Sequence, residues 1–436
     1  MVEIRPFKAL TYDWDEVDGD PASVTAPPYD VLTAEEVERL KKTSLHNVTR
    51  LTLPDASPGK GEASKYTEAA KTLRRWMKEG VLTQTKDPSL YVYHETHTEG
   101  GARKTVRGFF SLLRLDPEYK EVRPHERTHK GPIEDRLKLL GATRMDLEPI
   151  QFLYTDSEGF VQRTLEAEIV DADPIVDFTD PSGVRHELWA VDDADTLQAV
   201  QAFFDGRNVY IADGHHRYAT ACHYAREARD GGPIDGTLPY DHKLSLFVSR
   251  DDPGIAVHPT HRLLSDLPAP AEGRRALQER FKTEPVTVGS DSRARAVALR
   301  DICEGVDVDT VHRFVFYWGD GEADILTLPH AEVPKAEMGD RSDAWKALDV
   351  SVLHHVVLPK TLGVDQDNAG EHLRYTRVDE EAVRWVDEGR HQCSIIMNAT
   401  PLSAVTAVAD HGEHMPQKST YFQPKAQSGL LFSPIG

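Results

Sequence analysis

Short apolar runs alternate with amphipathic segments along the chain, and this alternation predicts a mixed α/β fold. Near the start, residues 34–42 and 62–80 carry apolar positions at three- and four-residue steps, which predicts two amphipathic helices. Thr33 and Glu36 have the spacing of a capping box before the first helix. In the second helix, the same spacing places Met77 on the apolar face.

Strands are predicted where apolar or alternating residues stand between turn signals. Residues 48–53 predict a short strand, and residues 89–115 predict two long strands joined by a Glu-Gly-Gly turn. Residues 123–156 predict a polar loop, a helix and a buried strand. Two more strands are predicted at 242–250 and 255–264. Further helices and strands are predicted in segments 193–206, 342–359, 379–389, 393–399, 402–412 and 415–432.

A strand–turn–helix joint in the middle of the chain carries an unusual set of side chains. Residues 209–212 form the short apolar run typical of a buried strand, and Asp213-Gly214 is a turn signal directly after it. From Arg217 the apolar positions recur at helical spacing, until Asp-Gly-Gly-Pro at 230–233 ends the run. The sequence therefore places the motif DGHHR at the start of a helix.

The start of this predicted helix is suited to binding an anion. Its first backbone N–H groups lack partners within the helix and carry the positive end of the helix dipole. Gly214 lets an anion approach the backbone closely, and Arg217 adds a planar set of N–H donors. His215 and His216 stand beside them. In the alternative interpretation, Asp213 only caps the helix and the histidines make supporting hydrogen bonds.

Length and composition limit the classes of protein to consider. The 436 residues suffice for two or three domains, and 39% hydrophobic against 28% charged residues is typical of a globular protein. The acidic net charge of −21 argues against broad nucleic-acid binding, because that affinity depends on Lys and Arg. Three scattered cysteines predict core packing rather than a zinc site or a disulfide framework, and we assign no metal ligands. Apolar runs are short and residues 1–20 are acidic, so we expect a cytoplasmic protein without a membrane partner.

Residues 125–129, with the sequence HERTH, match the pattern of zinc proteases, whose two histidines must share one helical face. Pro124 before the pattern and Gly131-Pro132 after it leave no room for such a helix, so a protease is not favoured. Glu126 remains a carboxylate flanked by histidines in a constrained loop. It is a candidate general base, and a solvated loop acid is the alternative.

Two further segments concentrate polar side chains. Residues 258–262, with the sequence HPTHR, place Arg262 in a predicted strand, and residues 415–425, MPQKSTYFQPK, have the period-two pattern of a strand. Lys418-Ser419 matches only the end of a Walker A loop, without its glycines, so the segment is not a P-loop. We expect it to fold back and bring Lys418 near the anion site. A solvated surface strand is the alternative.

Several segments together resemble one protein family: APPYDVLTAEE, HERT, GPIEDRLKLLGAT, YIADGHHRYATA, HPTHRLL, LDVSVLH and MPQKSTYFQPKAQSGL. The resemblance is to the bacterial and archaeal proteins grouped as domain of unknown function 1015, and it covers nearly the whole chain. The His-Glu pair, followed later by a strand and DGHHR, is also similar to the ParB/sulfiredoxin superfamily, and within it most similar to the free serine kinases.

This resemblance implies roles for individual residues. In the free serine kinases, a helix start of this type holds nucleotide phosphates, and the glutamate of an upstream His-Glu pair acts on the substrate hydroxyl. Carried over to this chain, the resemblance makes Glu126, His216 and Asp213 catalytic. The nucleotide-binding residues that it implies are Gly214, His215, Arg217, Arg262 and Lys418.

The resemblance also implies an architecture and an activity. We expect an N-terminal α/β region at 1–115, a ParB/sulfiredoxin-like core with a large insertion at 116–266, and an additional C-terminal α/β region at 274–436, after a Pro/Ala/Gly-rich linker at 267–273. The expected activity is Mg²⁺-dependent transfer of phosphate from ATP or ADP to a small hydroxylated metabolite, with free serine as one candidate. The alternatives are a nucleotide-binding regulator without turnover and a metal-dependent hydrolase. The sequence leaves the acceptor, the nucleotide and the oligomeric state open, a homo-oligomer included.

Overall fold

A computed structural model describes residues 1–15, 17, 19–99, 101–365, 367–416 and 418–436. Its contacts divide the chain into two compact units, one formed by Met1–Ala256 together with Pro424–Gly436, the other by Val257–Gln423. Both units combine helices with β-sheet, which confirms the mixed α/β class. The three regions drawn from the sequence stay a prediction, and the expected linker at 267–273 lies within the second unit, where it leads into the helix Pro270–Arg280.

A mixed sheet organises the first unit. Within the described residues it has nine strands. One of them, Ile4–Arg5, pairs with Ala102–Arg114 but lies outside the main strand order. The others follow one another in the spatial order Val122–Arg123, Val209–Asp213, Ile150–Tyr154, His242–Ser249, Ala102–Arg114, Leu90–Glu99, Arg185–Val191 and Val176–Thr179. The predicted pair of long strands at 89–115 is thereby confirmed. The register of Val209–Asp213 shifts between Ile211 and Asp213, where this strand approaches the DGHHR motif.

Helices and short strands complete the first unit. The helices are Pro21–Val24, Ala34–Thr43, Thr49–Thr52, Ser64–Glu79, Lys130–Thr143, Phe160–Ile169, Ala194–Phe204 and His215–Ala228, with 3₁₀ turns at Tyr29–Val31 and Pro239–Asp241. The short strands outside the main sheet are Leu10–Tyr12, Leu82–Gln84, Met145–Asp146 and Ser433–Pro434. Two-residue strands at Ala256–Val257 and Phe422–Gln423 lie where the chain passes from one unit to the other.

Local sequence signals predict the helix Ala34–Thr43 but not the short helix Thr49–Thr52. The capping box of Thr33 and Glu36 is present, with both of its reciprocal hydrogen bonds. The strand expected at 48–53 is wrong, because Asn47 stabilises a helical turn there instead. Its Oδ1 accepts hydrogen bonds from the Thr49 backbone N–H at 3.0 Å and the Thr49 hydroxyl at 2.6 Å.

The helix Ser64–Glu79 forms as predicted and ends at Gly80 in the left-handed conformation, but its buried face differs from the expected one. It buries Leu73 and Trp76, whereas Met77 is 45% exposed. The apolar stripe is therefore rotated by one residue from the face that includes Met77, so that the large Trp76 ring fills the core.

A cluster of titratable groups is buried in the main sheet of the first unit. The Tyr93 hydroxyl lies 2.7 Å from Nδ1 of His186 and 3.1 Å from a carboxylate oxygen of Glu95. Asp180 lies on the other side of the imidazole, 3.5 Å from Nε2. Burial, reinforced by the charge of Asp180, raises the pKa of Glu95 to about 8, although the hydrogen bond from Tyr93 opposes the shift. Glu95 is therefore held as a neutral acid at pH 7.

This raised pKa predicts how stability depends on pH. Below the ordinary glutamate pKa, folded and unfolded chains both keep the proton, so Glu95 costs no stability there. As pH rises toward about 8, the unfolded chain releases the proton and the folded chain keeps it, so stability falls. Glu95→Gln, which mimics the neutral acid, should therefore stabilise the protein at about pH 9 and leave it unchanged at about pH 4.

Urea unfolding of wild type and Glu95→Gln across this pH range measures the difference in their free energies of unfolding. The exposed Glu79 supplies the control. The free energy of unfolding of Glu79→Gln should differ from that of wild type by the same amount at every pH. If the difference in free energy of unfolding between Glu95→Gln and wild type also did not change with pH, Glu95 would not be a neutral acid in the folded protein.

The second unit has its own sheet and its own apolar core. Within the described residues, six antiparallel strands lie in the order Thr283–Thr287, Glu322–Pro329, Val311–Gly319, Cys393–Met397, His261–Leu264 and Leu373–Thr376. The helices are Pro270–Arg280, Ser292–Glu304, Asp343–Lys346, Asp349–Val352, Leu358–Thr361, Ala369–His372, Asp379–Asp387 and Leu402–Asp410, with 3₁₀ turns at His330–Glu332 and Lys335–Met338 and a π-helical turn at Leu353–Val357.

Two composition-based expectations can be compared with the structure. All three cysteines are buried thiols, as predicted for core residues: Cys222, Cys303 and Cys393. Every helix in the described part of the chain is too short or too polar to serve as a membrane span.

Candidate functional site

The strand–turn–helix joint forms as the sequence predicts. The strand Val209–Asp213 leads into Gly214, which has φ 95° and ψ 27°, and the helix His215–Ala228 follows at once. We call this helix the motif helix. Gly214 is its N-cap residue and has no side chain with which to cap the helix. The first backbone N–H groups of a helix have no acceptor within the helix and carry the positive end of its dipole, so a helix start of this kind favours an oxyanion.

Gly214 is required by both its conformation and its surroundings. A Cβ atom there would lie 3.1 Å from Nε of Arg217, in a backbone region that L residues rarely adopt. We expect Gly214→Ala to lower the free energy of unfolding by at least about 1–2 kcal/mol. Gly141, inside the helix Lys130–Thr143, supplies the matched control, because its Cβ would meet only Tyr224 at 3.9 Å.

Urea unfolding of the two variants checks this expectation. Gly141→Ala should be neutral or stabilising by about 0.5–1 kcal/mol, since alanine favours a helix interior. A Gly214→Ala variant as stable as Gly141→Ala would show that the turn does not need glycine.

Asp213 lies between two cations. Nη2 of Arg217 donates to one carboxylate oxygen at 2.6 Å, and the Lys425 ammonium forms an ion pair with the other. Nη1 of Arg217 donates to the Pro149 carbonyl at 2.6 Å. Burial alone would raise the pKa of Asp213, but the charges of Lys425 and Arg217 outweigh it and hold the pKa below its usual value. Asp213 is therefore a charged carboxylate that fixes both cations.

The 3₁₀ turn Tyr29–Val31 brings a second acid to this cluster. Asp30 reaches solvent, and it forms no ion pair with any residue that the structure describes. The surrounding protein nevertheless raises the pKa of Asp30, first by excluding water and then through the negative charge of Asp213. Burial and the charge of Asp30 likewise raise the pKa of Tyr29 to about 12. The site thus contains one carboxylate in ion pairs, Asp213, and one without an ion pair among the described residues, Asp30.

Glu148 fastens this turn to the rest of the site. Its carboxylate accepts hydrogen bonds from the backbone N–H of Tyr29 at 3.0 Å and from the hydroxyl of Ser428 at 3.2 Å. The Arg136 guanidinium lies 4.2 Å from the centre of the Tyr29 ring and 3.8 Å from the Glu148 carboxylate. Three segments distant in sequence therefore meet at one buried carboxylate.

A small cavity lies on the inner side of the motif helix. Its volume is about 50 Å³, and it reaches a buried ion pair between Lys243 and Asp146. Burial lowers the pKa of Lys243 and raises that of Asp146, and their mutual attraction opposes both shifts. The Lys243 ammonium also donates to the Glu148 carbonyl at 2.7 Å, so this pair supports the strand segment that carries Glu148.

Residues 124–129, which we call the glutamate loop, lie against the start of the motif helix. The backbone N–H of His125 donates to Nε2 of His215 at 3.3 Å, and that of His129 donates to Nε2 of His216 at 3.0 Å. The two pairs of rings have centroids 4.6 Å and 5.9 Å apart. Nε2 of each motif histidine accepts a backbone hydrogen bond, so the two imidazoles position the glutamate loop.

The glutamate loop carries Glu126, half-buried, between these two attachment points. The helix Lys130–Thr143 begins only after His129, so the two histidines of HERTH do not share a helical face. Among the described residues, no group of three or more His, Cys, Asp and Glu side chains is arranged to hold a metal ion. The loop that carries Glu126 therefore lies against a helix start, a kind of place where proteins often bind anions.

The first unit brings together six of the residues singled out from the sequence: Glu126, Asp213, Gly214, His215, His216 and Arg217. Arg262 and Lys418 belong to the second unit, and their role at the DGHHR motif stays a prediction. Within 415–425 the structure has strand only at Phe422–Gln423, so the expected long strand is wrong, and Gln417 lies outside the described residues. Pro416 and Pro424 each remove a backbone donor, which limits pairing there.

Several site residues were missed by reasoning from the sequence alone. They are Tyr29, Asp30, Arg136, Glu148 and Lys425. Four of them lie in or beside the segments that carry the family resemblance, such as APPYDVLTAEE and GPIEDRLKLLGAT. Those segments were the available signal, but no local pattern assigns their charged residues to the motif helix.

Three solved structures align with most of this chain at low sequence identity. A free serine kinase in complex with AMP shares 14% identity, with a TM-score of 0.34, over 74% of this chain and 91% of its own. SbnI with C-terminal truncation from Staphylococcus aureus shares 11% identity, with a TM-score of 0.36, over 75% and 87%. A conserved hypothetical protein from Pyrococcus furiosus shares 14% identity, with a TM-score of 0.34, over 73% and 93%. Among curated proteins, none matches this sequence.

A comparison with family models gives a broader match. The model described as "Protein of unknown function (DUF1015)" matches residues 4–351, a span that includes the Tyr29–Val31 turn, the glutamate loop and the motif helix. Because the match extends over most of its length, this chain belongs to the DUF1015 family.

Proposed function

We propose that this protein is a nucleotide-dependent phosphotransferase that acts on a small hydroxylated metabolite. The observation that carries the proposal is the attachment of the glutamate loop to the start of the motif helix by two backbone-to-histidine hydrogen bonds. This attachment holds the loop that carries Glu126 against the start of the motif helix, where a helix has backbone N–H groups without acceptors inside the helix. Phosphoryl transfer needs these two parts together, a seat for phosphate and a group that receives the hydroxyl proton.

The seat for phosphate is built from the backbone of the motif. The first N–H groups of the motif helix and the glycine at position 214 would hold the nucleotide phosphates. Arg217 and Lys425 lie at the same turn, each bound to Asp213, so they supply fixed positive charge rather than mobile ligands. Asp213 and His216 were predicted as catalytic, and we now propose that they position their neighbours.

The residues present fit a magnesium ion that is held mainly by phosphate. Mg²⁺ commonly takes one or two carboxylates together with phosphate oxygens and water, and it needs no cage of protein ligands. Asp30 is the suitable carboxylate, because it is exposed and forms no ion pair among the described residues. Mg²⁺ bound there would neutralise charge on the transferred group.

Glu126 would receive the proton of the acceptor hydroxyl. As that proton leaves, the hydroxyl oxygen forms a bond to the terminal phosphorus of ATP or ADP, and the bond from that phosphorus to its bridging oxygen breaks. The products are a phosphate monoester and a nucleotide shortened by one phosphate. His215 and His216 hold the backbone of the glutamate loop in place for this step.

The experiment is direct. The full-length protein is mixed with Mg-ATP or Mg-ADP and a panel of hydroxylated metabolites, free serine included, and the phosphorus spectrum is followed by NMR. We expect a new monoester signal with one nucleotide and at least one acceptor. No product with either nucleotide and any acceptor would contradict the proposal, and tight nucleotide binding by calorimetry without product would favour a regulator.

A further inference from the structure

Arg262 is a buried cation that has no acidic partner among the residues the structure describes. Its side chain lies in the strand His261–Leu264 of the second unit, and the residue is 1% exposed. Within the part of the chain that the structure describes, no carboxylate forms an ion pair with it, and the only neighbouring ionisable group acting on it as an acid is the Tyr375 hydroxyl. Burial lowers the pKa of Arg262 to about 10, so the guanidinium is still charged at pH 7.

The partners of this guanidinium are all neutral. Nε donates to Nε2 of His354 at 3.2 Å, Nη2 donates to the Lys418 carbonyl at 3.2 Å, and Nη1 donates to the Thr260 carbonyl. Burial and the charge of Arg262 hold the pKa of His354 well below its usual value, so that imidazole is uncharged. These bonds satisfy donors but leave the charge uncompensated, which is costly for a buried group.

A second observation is a buried amide without a hydrogen-bond partner, just beyond the strand that pairs with that of Arg262. Asn398 is 9% exposed, and its amide nitrogen is buried without a hydrogen-bond partner. The residue directly follows the strand Cys393–Met397, which pairs with the strand of Arg262, and the backbone N–H of Met397 donates to Nδ1 of His261. Arg262 is opposite Ile395 in this pairing, so a cation without an anion lies in one strand and an amide donor without an acceptor directly follows the other.

The segment that contains Lys418 is hydrogen-bonded both to Arg262 and to Thr400, which lies two residues after Asn398. Besides the bond from Arg262 to the Lys418 carbonyl, the hydroxyl of Thr400 donates to the Ser419 carbonyl at 2.9 Å. The side chain of Lys418 is exposed, on a residue in the left-handed conformation with φ 57°. The segments that carry Arg262, Asn398 and Lys418 are thus joined by hydrogen bonds, and the Lys418 side chain is exposed to solvent.

We infer that the second unit carries a binding centre for a small oxyanion, formed by Arg262, Asn398 and Lys418. A guanidinium has five N–H donors, of which the three bonds above use three, so donors remain for an oxyanion. A phosphate group or a carboxylate would supply the missing negative charge and the acceptor for the Asn398 amide. The centre is formed within one unit and does not require the proposed phosphotransferase activity.

NMR of ¹⁵N-arginine-labelled full-length protein tests this inference. The Nε–H signal of Arg262 is followed while inorganic phosphate, or acetate in a parallel series, is added at constant ionic strength. We expect this signal to shift and saturate, and the series that saturates first shows whether phosphate or carboxylate is preferred. A signal that does not move in either series would overturn the inference.

Variants decide whether the named residues form the centre. Asn398→Asp supplies an internal carboxylate of the same shape and should weaken the anion affinity by about tenfold or more. Lys418→Gln, at an exposed position that tolerates change, should weaken it several-fold. Arg374 is the control, because it is exposed and its bonds within the described residues go to backbone carbonyls, and Arg374→Gln should leave the titration unchanged.

One further variant tests whether anion binding at this centre is independent of the motif helix. Lys425→Met removes a cation of the first unit, and the phosphate-induced shift of Arg262 should persist in that variant. Loss of the shift there, or full affinity in both Asn398→Asp and Lys418→Gln, would show that no separate centre exists.

Discussion

Replacing Glu126 by glutamine should reduce turnover by at least about 100-fold and leave nucleotide affinity unchanged. The amide keeps the size of the side chain and its capacity to form hydrogen bonds, but it does not accept the proton of an acceptor hydroxyl. Nucleotide affinity should survive, because the proposed phosphate contacts come from the backbone of the motif helix and not from the glutamate loop. The phosphorus NMR assay gives turnover, and calorimetry with Mg-ATP or Mg-ADP gives affinity.

Glu134 supplies the matched control for this variant. It lies in the helix that directly follows the glutamate loop, and its exposed carboxylate is 3.6 Å from the Lys130 ammonium. Glu134→Gln removes the same charge from the same region and should change neither quantity. Normal turnover in Glu126→Gln would show that Glu126 is not the general base and support the alternative of a solvated loop acid.

The sequence predicted the parts of the site that depend on local pattern. The apolar run before Asp213, the Asp-Gly turn and the helical spacing after Arg217 lie within one short stretch, and each has a direct physical reason to form. Glu126 was found in a similar way, because prolines near HERTH exclude a helix that would hold both histidines. The interpretation that the histidines make supporting hydrogen bonds agrees with their role as acceptors for the glutamate loop.

The remaining parts of the site depend on contacts that no local pattern contains. The Lys425 ion pair with Asp213 joins positions separated by 212 residues, and the bond from Tyr29 to Glu148 joins positions separated by 119. Neither pair has a spacing that a helix or a strand would impose. A charged residue in a turn has many candidate partners, and only the folded chain selects one.

The same limit applies to the prediction for Arg217. From the sequence, a guanidinium at a helix start is an evident phosphate ligand, and its removal should cost binding without affecting the fold. In the structure its side chain is 5% exposed and is bound to Asp213 and to the Pro149 carbonyl. Burial would lower the pKa of Arg217, but the charges of Asp213 and Asp30 raise it instead, which is the signature of a cation held by its neighbours.

Arg217→Met should therefore destabilise the protein by at least about 2 kcal/mol, because Asp213 and the Pro149 carbonyl each lose a charge-assisted hydrogen bond, although Lys425 still pairs with Asp213. Asp213→Asn should be destabilising as well, because it leaves Arg217 and Lys425 without their shared carboxylate. In the double variant each loss partly cancels the other, since neither charge of the pair is left alone. We expect a coupling energy of at least about 2 kcal/mol between the two positions.

Urea unfolding of wild type, both single variants and the double variant completes this cycle, and nucleotide affinity is measured on each folded protein. Additive losses would show that Arg217 and Asp213 act independently. A stable Arg217→Met variant that loses only nucleotide affinity would support the phosphate-ligand role predicted from the sequence. A large coupling energy would instead show that Arg217 acts through the structure, because it fixes the strand end and the turn from which the backbone of the motif helix meets phosphate.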